Sequence, residues 1–230
     1  MTPDLSVIIP AYNEEKRLGP NLGPTLRYLH KHFPGFELII VDDGSTDSMA
    51  KSVRLAIAKE PRAKLISYKP NRGKGYAVRQ GVLASKGDIV LFMDADMSTP
   101  IEEIPKILKM LKNADIVMGS RGKSDAPLVR QIASIIFDKI KYILVGLRKY
   151  RDTQCGFKAY RGDIARQLFA KSQVDRFMFD VEILYIAEKS KLKIIEMPVA
   201  WADMPDSKVR FWEGVINMFR DLWRIRRLHS

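Results

Sequence analysis

Short apolar segments alternate with longer stretches of helical periodicity throughout the first half of the chain. The apolar segments predict buried strands, and the stretches between them predict helices that cover a sheet. The predicted strands are Leu5–Pro10, Phe36–Val41, Ala63–Tyr68, Ile89–Met93 and Asp115–Ser120, and the predicted helices run from Glu14 to Lys31, Thr46 to Lys59, Gly75 to Ser85 and Ile101 to Lys112. This alternation favours an α/β fold with a mostly parallel central sheet, right-handed crossovers and flanking helices.

The pattern changes beyond Gly122. We predict there a long amphipathic helix at Leu128–Arg151, a turn-rich patch at Asp152–Gly156, a helix near Asp180–Ser190, a strand at Lys193–Val199 and a final helix from Phe211. We find no repeat, low-complexity tract or linker between this region and the first half. The 230 residues are therefore expected to form a single domain, 1–230.

The two long helices of the second half each combine a wide apolar face with a more polar one. In the first, the polar positions are Gln131, Ser134, Asp138, Lys141 and Arg148, opposite Ile132, Ile135, Ile136, Phe137, Ile140, Ile143 and Leu144. In the second, they are Glu213, Asn217, Arg220, Arg224 and Arg227, opposite Trp212, Val215, Ile216, Phe219, Leu222 and Trp223. Packing into the protein core is the ordinary explanation. The aromatic content and the basic polar sides instead favour helices that lie in a membrane interface.

Acidic and polar residues follow three of the predicted strands. The segments that contain them are Pro10, Ala11, Tyr12, Asn13 and Glu14 at the end of the first strand, Asp42, Asp43 and the residues to Asp47 after the second, and Asp94, Ala95 and Asp96 after Ile89–Met93. The carboxyl ends of parallel strands share one edge of the sheet, where ligands of open α/β sheets bind. Two carboxylates there can hold Mg²⁺ or Mn²⁺ against nucleotide phosphates, so we predict a nucleotide-dependent transferase with Asp94 and Asp96 at the metal.

The other strand ends have two interpretations. A carboxylate in this crevice can accept the ring N–H of a uracil or guanine base, and Tyr12 offers an aromatic wall to that base. Alternatively, Asn13 and Ser45 or Thr46 cap helices while the two aspartates occupy a turn.

The segment Asn71–Gly75 resembles a phosphate-binding loop only superficially. It lacks the upstream glycine and the following Ser or Thr of a Walker A motif, and Val78 occupies the third glycine position of G-x-G-x-x-G. The ATPase and dehydrogenase classes are therefore disfavoured. We expect a tight turn that brings Arg72 or Lys74 near a pyrophosphate.

The composition indicates an anionic partner. The formal net charge is +12, from 39 Lys and Arg against 27 Asp and Glu, which attracts nucleic acid, phosphorylated substrates or acidic membranes. We find no zinc-finger spacing, RNP-like strand or recognition-helix pattern, so no nucleic-acid partner is predicted, and a DNA- or RNA-binding protein remains the rival class based on charge alone.

The few cysteine and histidine residues disfavour several kinds of catalytic and metal sites. Cys155 is the only cysteine, so an intramolecular disulfide is excluded and a reducing compartment is expected. His30, His32 and His229 are interpreted as helix-face or tail residues, which gives little support to nucleophile–histidine schemes or zinc sites. No secretory signal and no apolar run of spanning length is evident, so we expect a peripheral protein on the cytoplasmic side of a membrane, without a transmembrane segment.

Several of these motifs resemble those of family 2 glycosyltransferases with the GT-A fold, and within them the polyprenyl-phosphate sugar synthases. The shared motifs are Ser6–Glu14, Val41–Ser45, Asn71–Gly75, Asp94–Asp96 and Gly119–Arg121, and the stretches Arg151–Lys158 and Phe179–Tyr185 are especially similar to the dolichyl-phosphate glucosyltransferase branch. Ser98 departs from the pattern, since the mannose synthases usually carry Gln at this position.

The resemblance implies roles for individual residues. Pro10, Ala11, Tyr12, Glu14, Asp42, Asp43, Arg72, Lys74, Asp94, Ala95 and Asp96 would contact the nucleotide, Asp94 and Asp96 would engage the donor and Mg²⁺ or Mn²⁺, and Arg121, Arg130, Lys208 and Arg210 would bind the acceptor phosphate. Residues 1–122 would form the nucleotide-sugar-binding half, and residues 123–230 the acceptor and membrane-interface half.

The implied reaction is an inverting transfer of a hexose to dolichyl or polyprenyl phosphate, with Asp94, Asp96 and Arg121 as catalytic residues. UDP-glucose is favoured as donor over GDP-mannose. An anionic acceptor phosphate needs little or no general base, which is consistent with the few histidines. Asp180 and Glu182 either face this acceptor or are helix-start carboxylates stabilised by the helix dipole. The closest alternative is a soluble family 2 enzyme that acts on a glycan or protein hydroxyl and needs a carboxylate base.

Overall fold

A seven-stranded sheet forms the centre of the computed structural model, which describes residues 2–122, 141–202 and 211–229. Its strands are β1 (Leu5–Ala11), β2 (Phe36–Asp42), β3 (Ala63–Ser67), β4 (Ile89–Met93), β5 (Ile116–Ser120), β6 (Phe157–Arg161) and β7 (Ile194–Pro198). They lie in the order β3-β2-β1-β4-β6-β5-β7. Only the pairs that β6 makes with β4 and β5 are antiparallel. The predicted α/β fold with a mostly parallel sheet is confirmed.

Helices cover both faces of this sheet. They are α1 (Glu15–His32), α2 (Met49–Ile57), α3 (Lys74–Ala84), α4 (Ile104–Leu111, after a 3₁₀ turn at Ile101–Glu103), α5 (Gly162–Lys171), α6 (Phe179–Lys189) and α7 (Phe211–Leu228), and residues 141–145 are also helical. Side chains alternate across a strand, so Val7 of β1 packs in the core layer that contains Leu18 of α1, while Ile8 packs with Val78 of α3. Such two-sided burial explains the continuous apolar strands of the sequence.

The order in which successive strands are added to the sheet reverses beside β1, and a ligand crevice is expected at this point. β2 and β3 lie on one side of β1, and β4 lies on the other. In open α/β sheets the crevice outside the carboxyl ends of strands at such a switch point is the usual ligand site. β6 runs antiparallel, and its first residue, Phe157, pairs with Met93 at the end of β4. The segment that precedes β6 therefore reaches the same edge.

The hydrophobic pattern does not indicate β6 or α5. Four of the five residues of β6 are buried, among them Lys158 and Tyr160. The strand is not recognisable as an apolar segment because it contains Lys158. A buried lysine needs a charged partner, and this partner is distant in the sequence.

The predicted helix at Leu128–Arg151 is corrected in its final part, while residues 123–140 lie outside the described residues. The described helical segment ends at residue 145, not at Arg151. Lys141, predicted on the polar stripe, is 2% exposed and donates a hydrogen bond to Thr153 Oγ1 (3.3 Å). Ile143, predicted on the apolar face, is instead 70% exposed.

The described part of α7 packs on the protein, contrary to a purely interfacial helix. Leu222 and Ile225 are fully buried in a cluster with Met118 of β5 and Met178. Trp223 points outward and is 60% exposed, with the Arg227 guanidinium 5.9 Å from its ring centroid. The core-packing interpretation therefore holds for Leu222 but not for Trp223. No helix among the described residues is both long and apolar enough to span a bilayer.

Candidate active site

Asp94 lies directly after β4 and makes two close contacts with other segments. Its Oδ1 forms an ion pair with the ammonium group of Lys74 at 2.6 Å, and its backbone N–H donates a hydrogen bond to the Gly156 carbonyl (3.1 Å). A Cβ atom at Gly156 would lie 1.8 Å from Asp94 Oδ2. The Asp94 carboxylate therefore occupies space that any residue other than glycine would fill.

Asp96 completes the predicted pair of carboxylates at this edge. Its Oδ1 accepts the N–H of Ser98 (3.0 Å) across a turn in which Met97 has a φ of 56°. Ala95 between the two aspartates is buried. The described residues contain no group of three or more His, Cys, Asp or Glu side chains that could hold a metal. Two carboxylates nevertheless fit a hard cation whose other ligands are phosphate oxygens and water.

Lys74, the first residue of α3, stands among three carboxylates. Burial alone would lower the pKa of its ammonium group, but Asp94, Asp180 and Asp96 together raise that pKa. The lysine therefore stays protonated. It is a fixed positive charge where we predict a pyrophosphate.

Asp43 organises the loop that leads to Lys74. It is 3% exposed, and its carboxylate accepts the backbone N–H groups of Arg72 and Gly73 (both 2.8 Å) and the amide of Asn71 (2.8 Å). Gly73 has a φ of 111°, which favours glycine. Arg72 lies with its guanidinium 3.7 Å from the Tyr76 ring centroid. Asp43 and Arg72 thus belong to one connected unit at the sheet edge.

The loops after β1 and β2 are joined by hydrogen bonds. Asn13 Oδ1 accepts the N–H groups of Thr46 (2.7 Å) and Asp47 (3.3 Å), and the Asn13 N–H donates to Ser45 Oγ (2.9 Å). Asp42 Oδ1 accepts the Ser45 N–H (2.8 Å). Asp42 is the last residue of β2, and Asp43 follows it in the connecting loop. The predicted helix caps are wrong, because the N-caps of α1 and α2 are Glu14 and Ser48, and Asn13 instead ties one loop to the next.

The remaining predicted nucleotide contacts lie along the same edge. Pro10 and Ala11 are the last residues of β1 and are buried, whereas Tyr12 is 40% exposed. The Glu14 carboxylate binds Arg17 through two hydrogen bonds of 2.5 Å. The structure thus brings the predicted nucleotide residues together, and their contacts with a nucleotide remain a prediction.

Arg121, directly after β5, is held by Asp152. Its Nε and terminal nitrogen donate to the two carboxylate oxygens at 2.7 and 2.8 Å. Burial would raise the pKa of Asp152, but Arg121 keeps that pKa below its usual value. The Glu196 carboxylate accepts the Asp152 N–H (2.8 Å). The other predicted acceptor residues, Arg130, Lys208 and Arg210, lie outside the described residues.

Sequence reasoning missed a buried ion pair beneath the crevice. Lys158 of β6 binds Asp180 of α6 at 2.6 Å, with both side chains almost completely buried. Burial raises the pKa of Asp180 above its usual value, although Lys158 and Lys74 act in the opposite direction. The only sequence signal was the presence of both residues within the two stretches that resemble the glucosyltransferase branch.

Asp180 and Glu182 lie in the first turn of α6, as the helix-start interpretation predicts, and Glu182 has further partners that the sequence did not indicate. Glu182 is completely buried and accepts the N–H groups of Gln173 (2.9 Å) and Val174 (2.9 Å), together with His229 Nε2 (2.7 Å). His229 is thus a partner of α6 and not a free tail residue. Glu182 thus connects α6 to the segment after α5 and to the residue that follows α7. Because Asp180 is paired with Lys158, both carboxylates have partners within the protein.

Comparison with known proteins defines the class first. The structure is similar to the crystal structure of glucosyl-3-phosphoglycerate synthase from Mycobacterium tuberculosis in complex with phosphoglyceric acid. The TM-score is 0.70, with 19% identity over 97% of this chain and 78% of that chain. A structure of the same synthase with Mn²⁺, UDP and glucosyl-3-phosphoglycerate gives a TM-score of 0.64. The fold is that of the GT-A glycosyltransferases.

The amino-acid sequence is similar to a narrower group of enzymes. Residues 6–169 match the family described as Glycosyl transferase family 2. The dolichyl-phosphate beta-glucosyltransferase of Drosophila melanogaster is 40% identical over 243 residues (96% of this chain, 74% of that protein), and the one of Homo sapiens is 36% identical over 245 residues (98% and 75%). The chain belongs to glycosyl transferase family 2 and is a glycosyltransferase similar to these relatives.

Proposed function

We propose that this enzyme transfers glucose from UDP-glucose to dolichyl phosphate with inversion at the anomeric carbon. The observation that carries the proposal is the meeting of Asp94, Asp96 and protonated Lys74 at the switch point of the sheet, in a chain whose curated relatives include dolichyl-phosphate beta-glucosyltransferases. GDP-mannose is the less favoured donor.

The donor would lie along the edge formed by the ends of β1, β2 and β4. The uracil base would contact Asp43 and Tyr12, with Arg72 nearby, and Lys74 would donate to the pyrophosphate. Asp94 and Asp96 would hold Mn²⁺ or Mg²⁺, which neutralises charge on the diphosphate leaving group when bound. Lys74 then has two anionic partners, Asp94 and the diphosphate.

The acceptor phosphate would approach from the side of β5. A phosphate oxygen forms the new bond to the anomeric carbon while the bond between that carbon and the UDP oxygen breaks. The nucleophile is already an anion, so no proton needs to be removed. Arg121 would align the phosphate, and its bidentate contact with Asp152 fixes the guanidinium before the acceptor arrives, which reduces the cost of orientation. Arg130, Lys208 and Arg210 are proposed as further phosphate contacts.

A direct assay tests both substrates. Purified enzyme with Mn²⁺ is offered UDP-glucose or GDP-mannose, each with dolichyl phosphate or with dolichol, which has a hydroxyl in place of the phosphate. We expect β-linked glucosyl phosphate from UDP-glucose and dolichyl phosphate, identified by mass spectrometry and by the NMR coupling of the anomeric proton, and little product without a divalent cation. Transfer to a hydroxyl but not to the lipid phosphate would contradict the proposal and favour the alternative family 2 activity.

We also propose that the enzyme binds the cytoplasmic face of a membrane peripherally. Support comes from the outward-facing end of α7, where exposed Trp223 lies among Arg220, Arg224 and Arg227. An exposed aromatic residue beside cations suits an anionic lipid surface. Leu222 and Ile225 of α7 are buried in the protein and do not belong to this outward-facing region.

Liposome flotation tests the membrane proposal. Each arginine near an anionic surface is worth about 1 kcal/mol, so replacing Arg220, Arg224 and Arg227 by Gln should reduce the partition coefficient at least about tenfold. The matched control replaces Lys51 and Arg54 of α2, which lie near the exposed Leu55, and should leave binding almost unchanged. Absence of lipid binding by the unmodified enzyme, or equal loss in both variants, would refute the role of α7.

A further inference from the structure

The buried ion pair between Lys158 and Asp180 has no role in the reaction proposed above. Lys158 is 0% exposed and Asp180 is 3% exposed, and their contact of 2.6 Å lies beneath the crevice. The same ammonium group donates to the carbonyl of Cys155 at 2.6 Å. Neither side chain is accessible to a substrate in this arrangement.

Stability alone is a weak explanation for such a pair. Removing two charges from water is costly, and apolar residues of similar volume often make a protein equally or more stable. A buried pair that does not improve stability requires another reason for its presence. Its contacts with the crevice provide one.

Lys158 influences the position of Asp94 through the chain segment before β6. Its bond to the Cys155 carbonyl fixes the residue next to Gly156. Gly156 in turn accepts the Asp94 N–H and leaves the space that the Asp94 carboxylate fills. The position of the predicted metal ligand therefore depends on the lysine two residues after Gly156.

Asp180 influences the crevice electrostatically, through the charge of Lys74. The carboxylate attracts the ammonium groups of both Lys158 and Lys74. The Phe92 ring is close to both lysines, with its centroid 5.2 Å from Lys158 Nζ and 5.7 Å from Lys74 Nζ. The Lys158–Asp180 pair and Lys74 thus meet at one aromatic ring, and Asp180 is an anion in addition to Asp94 that favours the observed position of Lys74.

We propose that Lys158 and Asp180 form a positioning unit for the donor site, which holds segment 152–156 against Asp94 and keeps Lys74 beside it. The inference rests on the proposed function, because the donor site is where it acts. It assigns neither residue a direct contact with substrate. Its consequence is that cation-dependent nucleotide binding depends on two residues that are buried below the site.

The first test is Asp180→Asn, which keeps the shape of the side chain and an oxygen that can accept from Lys158. We expect a lower melting temperature, because the buried Lys158 ammonium group loses its charged partner, and a Kd for UDP in the presence of Mn²⁺ that is about 10- to 100-fold higher, as is usual when residues supporting metal ligands change. Isothermal titration calorimetry measures this Kd without glucose or lipid. An unchanged Kd would overturn the role of Asp180.

The second test is the double variant Lys158→Met/Asp180→Leu, which replaces the pair with apolar side chains. Lys158→Met alone should lower the melting temperature most, because it leaves a buried carboxylate without its partner, and the double variant should recover much of that loss. UDP binding should stay weak in both. A stable double variant with unmodified affinity for UDP and Mn²⁺ would show the pair to be structural only, and if the double variant does not fold, Asp180→Asn decides.

Glu182→Gln is the matched control on the same helix. Glu182 is a buried carboxylate that accepts backbone N–H groups and His229 but makes no described contact with Asp94 or Lys74. It should lower the melting temperature and leave the Kd for UDP unchanged, and an equal loss of affinity would overturn the inference. If the unmodified enzyme binds UDP and Mn²⁺ but does not glucosylate dolichyl phosphate, the proposed acceptor is wrong and the binding comparison still decides the role of the pair.

Discussion

Asp96→Asn is expected to remove nearly all glucose transfer while the protein stays folded. The asparagine oxygen can still accept the Ser98 N–H that Asp96 Oδ1 accepts at 3.0 Å, so the turn after β4 should persist. The negative charge that would hold the divalent cation is lost. Charge stabilisation by a bound metal is worth several kcal/mol, so kcat/KM should fall roughly 100- to 1,000-fold.

The measurements for this variant are the rate of transfer to dolichyl phosphate, the Mn²⁺ concentration for half-maximal rate, and the melting temperature. Asp88→Asn is the matched control, because Asp88 precedes β4 at the opposite edge of the sheet and is exposed. It should behave like the unmodified enzyme. Near-normal turnover of Asp96→Asn at saturating Mn²⁺ would remove Asp96 from the metal site.

Gly156→Ala is expected to have the next largest effect. The added methyl group would lie 1.8 Å from Asp94 Oδ2, so the carboxylate or the loop has to move. Misplacement of a catalytic group by about 1 Å can reduce the rate about a hundredfold, and we expect a loss of that size in kcat/KM. Gly156 is not among the described glycines with positive φ, so the effect is steric and does not arise from backbone strain.

Gly122→Ala serves as the control for this substitution. Among the residues that the structure describes, none would lie within 4 Å of a Cβ atom at Gly122, so the variant should keep its activity and its melting temperature. The dependence of the rate on Mn²⁺ separates the explanations for Gly156→Ala: a displaced Asp94 raises the Mn²⁺ requirement, whereas general destabilisation does not. Unmodified activity and Mn²⁺ dependence would show that Asp94 moves without consequence.

The sequence was most informative where local pattern and topology agree. Buried parallel strands have continuous apolar sequences, and the position of Asp94 and Asp96 after one of them places both carboxylates at the ligand edge of the sheet. Because only Ala95 separates the two aspartates in the sequence, their proximity could be predicted without knowledge of tertiary contacts. The edge of the fold that carries the proposed chemistry was therefore predictable.

Prediction failed where burial depends on a distant partner. Lys158 concealed β6 because Asp180, its counterion, lies on another element, and Lys141 was assigned to a polar face although it is buried near Thr153. Leu222 and Trp223 are neighbours with similar hydrophobicity, but one is in the core and the other is exposed. A helical pattern identifies an apolar face and does not identify what covers it.

The bonds of Asp43 affect how donor preference should be studied. This carboxylate is the proposed partner of the nucleobase, and it also holds the backbone of Arg72 and Gly73 immediately before Lys74. Replacing Asp43 would therefore disturb the contacts of both the base and the pyrophosphate of a bound nucleotide sugar in one step. Selectivity between uridine and guanosine donors is better measured by varying the ligand on an unaltered enzyme, and enzyme engineering aimed at a new donor should retain Asp43 and begin with exposed Tyr12.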